Sequence, residues 1–184
     1  MTVEELQAGL KLHDKGVLKH GSHKPIDREF CALEFVSVMH GEKMHDKPTH
    51  IPDLRRLNDA GWSSDKARTD AMLPVLAALW DWSSWGKDKQ QAWAEHTAIE
   101  TVRHIISGLP KLDPKIKQQC LDASDLVTAK AAAYAAAYAA ADAAANIAYT
   151  ADAAANAADQ YLLLSASMAL EVLKELNSPG VKWL

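Results

Sequence analysis

Residues 129–158 read AKAAAYAAAYAAADAAANIAYTADAAANAA, and twenty of these thirty positions are alanine. Alanine loses no side-chain entropy and buries no polar group in a helix, so it is the strongest intrinsic helix former. Neither glycine nor proline interrupts the chain between Pro114 and Pro179. The stretch therefore reads as helix. The larger side chains within it, Lys130, Tyr134, Tyr138, Asp142, Asn146, Tyr149, Asp152 and Asn156, recur every three or four residues. They form one slowly drifting stripe on a surface otherwise made of methyl groups.

A straight helix from Pro114 to Pro179 would measure roughly 95 Å. A compact globule of 184 residues has a radius of gyration of about 16 Å. The segment must therefore break, with Asp122-Ala-Ser-Asp125 and Ile147-Ala-Tyr-Thr150 as its weakest stretches, or project and recruit a partner. Alanine faces let helix axes approach to about 8 Å, the short end of the packing range. Self-association through this surface, making a homo-oligomer, is one expectation; packing on its own N-terminal part is the other.

Outward from this tract the same class of signal recurs. Thr2 with Glu5 forms a capping box for a first helix ending by Gly16. Asp27 is placed to cap a second that runs through His40 to a left-handed Gly41. Pro52 and Gly61 bracket a third helix. Ser64 starts a fourth, which Pro74 should kink or split. A fifth runs from about Lys89 to Ser107, and Asp113 with Pro114 opens the last region. No sustained alternation of β-branched residues appears. The expected fold is all-α: an irregular helical bundle with a long Ala-rich C-terminal helix, divided into an N-terminal helical domain (1–112) and an Ala-rich region (113–184).

Composition narrows the function. The 20 Lys and Arg against 24 Asp and Glu lack the basic excess expected of a nucleic-acid binder. Cys31 and Cys120 are far apart and match neither a disulfide framework nor a thiolate zinc site. The polar, acidic start Met1-Thr2-Val3-Glu4-Glu5-Leu6 is unlike a signal peptide. Asp142, Asn146, Asp152 and Asn156 break up the only membrane-like stretch. A cytoplasmic protein with no membrane association is expected. No phosphate-binding glycine loop, nucleophile motif or cofactor fingerprint occurs.

Three groups of side chains carry chemical potential. Cys31, Glu34, His40, Glu42, His45, Asp46 and His50 include the usual metal donors, although their spacing matches no standard zinc pattern; the alternative is that they cap helices and close turns. His96, Glu100 and His104 share a helix face beside Arg103, and either line a cleft or pair with one another in solvent. Trp80, Trp82, Trp85 and Trp93 crowd near one turn, where indoles either build core or offer stacking faces to a nucleobase or a partner. The candidate ligand-binding set is Glu34, Glu42, Asp46, Arg103, His104, Trp82 and Trp85.

The motifs Cys31-Ala-Leu-Glu34, Gly41-Glu42, Asp46-Lys-Pro48 and Asn58-Asp59 resemble, in their order, a family of small uncharacterised actinobacterial and phage or prophage proteins with an Ala-rich C-terminal tract. The likeness covers residues 18 to 160. It departs at His50 and Ile51, where those relatives commonly carry a further cysteine. The resemblance implies a phage or prophage setting and no particular activity. Together these readings favour a non-enzymatic binding protein that engages a host protein or sequesters a small, nucleotide-like ligand. A metal-assisted hydrolase built on Glu34, Glu42, His45 and Asp46 and a structural self-assembly protein are the alternatives.

Overall fold

The computed structural model describes residues 1–13, 16–25, 28–109, 112–144 and 151–184, with side chains outside 137–161. Among the described residues every regular element is helical: α1 (Val3–His13), α2 (Ala32–Met39), α3 (Arg55–Asn58), α4 (Asp65–Ala78), α5 (Lys87–Glu100), α6 (Pro114–Leu121), α7 (Leu126–Ala144) and α8 (Ala151–Glu175). Tight turns at Trp82–Ser84, Ile106–Gly108 and Pro179–Trp183, and a widened turn at Thr101–Ile105, complete the set. The fold is an all-α irregular bundle. No helix among the described residues is long and apolar enough to cross a membrane.

The chain forms two compact units: Met1–Gln90 together with Ala155–Leu184, and Gln91–Ala154. This division differs from a boundary at 112/113, because the C-terminal segment belongs with the N-terminal helices. In the first unit, Leu6 and Leu10 of α1, Phe35 and Val36 of α2, Met72, Val75 and Leu76 of α4 and Leu173 of α8 are all fully buried. Burying each such side chain is worth about 1.5–3 kcal/mol. The C-terminal turn is tied to the end of α4, where Ser178 Oγ donates to the Ala78 carbonyl at 2.8 Å. Gly180 sits so close that a Cβ there would lie 2.3 Å from the same oxygen.

In the second unit, α6 and α7 pack on each other and on the turns at 101–108. Their core is Val102, Cys120, Ala123, Ala129 and Ala132, flanked by Ile99, Ile106, Leu112 and Ile116. The methyls of Ala129 and Ala132 are therefore used in close packing inside this unit.

Several boundaries differ from the sequence expectation. The second helix begins at Ala32, with Cys31 as its cap; Asp27 lies outside the described residues. The third begins at Arg55, three residues after Pro52. Pro74 lies inside α4, which continues to Ala78, because Leu73, Val75 and Leu76 around it are buried and tertiary packing offsets the lost amide hydrogen bond. The Ala-rich rod is interrupted at 122–125, as the Asp and Ser residues there suggested. The second weak stretch, Ile147–Thr150, lies outside the described residues, as do the side chains of Tyr138, Asp142, Asn146, Tyr149, Asp152 and Asn156.

Candidate functional site

The motif residues of the first unit build a buried polar lattice. Glu34 is 2% exposed. Its Oε1 accepts from the His23 amide at 2.7 Å, and its Oε2 lies 2.9 Å from His23 Nδ1 and accepts from the Cys31 amide at 2.9 Å. In return Cys31 Sγ accepts from the Glu34 amide, a reciprocal cap with a thiol in the place usually taken by a hydroxyl. Burial, together with the adjacent Glu34 carboxylate, pushes the Cys31 thiol up to about 12. Such a thiol is not a nucleophile at neutral pH.

Asn58, fully enclosed, accepts from the Ala32 amide at 3.0 Å and donates to the Lys19 carbonyl at 3.0 Å. Asp59 accepts from the Gly21 amide at 2.8 Å. Arg68 donates to the Asn58 carbonyl at 2.7 Å, and Thr69 accepts from the Leu18 amide at 2.7 Å. Burial raises the acidity threshold of Asp65, yet Lys19 and Arg68 outweigh it and hold the carboxyl below its usual range. Glu34, Asn58, Asp59 and Thr69 thus hold segment 18–23 against α2, α3 and α4.

On this scaffold sits the irregular loop 41–54. Gly41 turns the chain out of α2 at φ +76°, a conformation that favours glycine. Ser37 Oγ donates to the His45 carbonyl at 2.8 Å and Ser22 Oγ to Asp46 Oδ2 at 3.1 Å. Glu42 meets two imidazoles, His50 Nε2 at 2.8 Å and His45 Nε2 at 3.0 Å. These bonds, that of His50 foremost, hold the Glu42 carboxyl below its ordinary range. His50 stacks on His40, and His40 stacks on Trp80. Both ring pairs lie 4.2 Å apart and 14° from parallel.

Beside this cluster, Leu33, Asp46, Lys47, Pro48, Pro52, Asp53 and Arg55 line a cleft of about 200 Å³. Arg55 Nε donates to both Asp53 oxygens, at 2.9 and 3.1 Å. That contact holds Asp53 down at about 2. The cleft is smaller than the roughly 300–1,000 Å³ typical of drug-sized ligand sites. It suits one side chain or a small ion.

The five sequence candidates of the first unit do not share one site. Asp46 lines the cleft and Glu42 joins the histidine cluster beside it, whereas Glu34 is enclosed in the lattice. Trp82 and Trp85 meet edge to face at 5.5 Å and are 9% and 4% exposed, with both carbonyls accepting from Gln90 Nε2. They are interior residues. Arg103 and His104 belong to the second unit, where both pair with Glu100, at 3.0 and 2.9 Å. Among the described residues no group of three or more His, Cys, Asp or Glu side chains is placed to hold a metal ion. Glu42 and His45 pair with each other, whereas Glu34 and Asp46 have the separate partners given above.

Sequence reasoning did not assign His23, Asp53 or the pairing of His40 with Trp80. Asp53 was detectable, since Asp53-Leu-Arg55 places an acid two residues before a base. The stack joins positions forty residues apart, and no local pattern marks it.

An all-α scaffold carrying a tethered, charged loop is the class of protein these features define. Comparison of the chain with family models, curated proteins and solved structures returns no match.

Proposed function

We propose that this chain is a non-enzymatic binding protein, of the phage or prophage type its motif block resembles, and that it presents loop 41–54 to a host protein or a small ligand. The observation that carries this reading is the loop's construction. It has no regular secondary structure, yet serine hydroxyls, a carboxylate shared by two histidines and a ring stack tether it beside a charged cleft. Binding surfaces are commonly loops positioned by a rigid scaffold. The volume of the cleft favours an inserted side chain of a protein partner, or a small anion, over a whole nucleotide.

The test uses a photocrosslinker at exposed Lys47 in host extract, alongside thermal-shift titrations with inorganic phosphate and nucleoside monophosphates. One dominant crosslinked protein, lost in a folded Asp46→Ala, Arg55→Ala variant, supports the protein reading. A phosphate or nucleotide shift lost in the same variant supports the small-ligand reading. Equal behaviour of variant and wild type in both assays defeats the proposal.

A second reading is homo-oligomerisation through the Ala-rich region. It is favoured by Val127 and Tyr134 of α7, which are 78% and 68% exposed. Light scattering decides it: Ala140→Leu with Ala144→Leu should lower the mass of an oligomer by overpacking its contact, and an unchanged mass counts against it.

A further inference from the structure

We propose that the His50–His40–Trp80 stack is an acid-released latch, which pins loop 41–54 to the ends of α2 and α4 at neutral pH and lets it go in mildly acidic solution. The three rings come from three places in the first unit. His40 closes α2, His50 belongs to the loop, and Trp80 follows α4. With centroid separations of 4.2 Å and inclinations of 14° on both sides of His40, the loop is fastened through one flat imidazole.

That middle ring is poorly placed to accept a proton. His40 Nε2 is buried and has no hydrogen-bond partner among the described residues. A proton added there would be a buried donor without an acceptor. His50 is in the opposite situation, because its Nε2 already faces Glu42 at 2.8 Å. His50 itself lies one ring-stacking distance from His40, with centroids 4.2 Å apart.

The charged groups facing His40 are His50 and Glu42 from the loop, Asp81 from the turn after α4, and the amino group of Met1. Burial and then His50 push the His40 imidazole below its ordinary value, outweighing the opposing pull of Glu42 and Asp81. The direction follows. As pH falls below about 6.5, the open form, with His40 in water, takes up a proton that the closed form refuses, so acid favours opening. One proton changes the open-to-closed ratio by at most about tenfold per pH unit. The latch stands on ring geometry and the orphaned nitrogen, and it does not require that the cleft bind anything.

The experiment is an NMR titration of the full chain from pH 7.5 to 5.0 in EDTA, following the amides of 41–54 and the His40 ring. The loop amides should move in a shared transition below pH 6.5. The His40 ring should titrate below the ordinary histidine range. His40→Phe keeps a flat ring between His50 and Trp80 without a titrating nitrogen, and it should abolish the loop transition. Stationary loop amides, an identical transition in His40→Phe, or a His40 ring titrating at or above the ordinary value would each overturn the latch. Should His40→Phe fail to fold, the wild-type ring titration decides alone. Loss of the closed loop spectrum in EDTA at neutral pH would also overturn it, by showing that a metal fastens the loop.

Discussion

Replacing Glu34 by alanine tests the lattice at its most committed residue. The carboxylate accepts from two backbone amides, those of His23 and Cys31, and meets the His23 ring. Its side chain is 2% exposed, so water cannot readily take its place. A buried donor left without an acceptor costs about 1–3 kcal/mol. Two orphaned amides, one of them at a helix cap worth about 1 kcal/mol, give an expected loss of about 3–5 kcal/mol. That is a large part of the roughly 5–15 kcal/mol available to a folded domain.

Glu34→Gln keeps the shape but turns one accepting oxygen into a donor, so its loss should be smaller, about 1–3 kcal/mol. Urea unfolding followed by tryptophan fluorescence reads the first unit through Trp80, Trp82 and Trp85. A midpoint for Glu34→Ala within about 0.5 kcal/mol of wild type, at unchanged denaturant slope, would refute the structural role. It would return Glu34 to the pool of candidate ligand-binding groups.

Other outcomes follow from the same geometry. Gly180→Ala should cost about 1–3 kcal/mol through overpacking, seen as a lowered thermal midpoint, since its Cβ would press on the carbonyls of Ala77 and Ala78 at 2.5 and 2.3 Å. Native Cys31, with its thiol pushed up to about 12, and buried Cys120 should resist a thiol reagent at pH 8, and both should react fully in urea. Asp53 should titrate near pH 2 by carboxyl NMR. Its depressed folded value means that the stabilisation from its pairing with Arg55 is complete above the ordinary carboxylate range and is lost progressively as pH falls from that range through about 2.

Local rules account for much of the fold. The Thr2 and Glu5 box forms in both directions, at 2.7 and 3.2 Å; Ser64 caps α4 and Asp113 caps α6. Each is a short-range bargain between a side chain and nearby amides, so spacing alone reveals it. Cys31 as a cap escaped notice because thiols are weak acceptors, and only the returning Glu34 carboxylate makes the cap effective. Pro74 does not split α4, because its local cost is offset by buried neighbours. The site was least legible. Asp46 and Glu42 could be named from their residue types, but their surroundings come from Ser22, His50 and Trp80, which the chain brings together only after folding. Trp82 and Trp85 illustrate the converse, since an aromatic cluster in sequence does not reveal which faces remain open.

The central claim is that loop 41–54 is a preformed surface held by side chains. Backbone order parameters from NMR relaxation at pH 7.5 test it most directly. Values for 41–54 should lie close to those of α2, about 0.85 as for rigid backbone. Values below about 0.6, the flexible range, would contradict it.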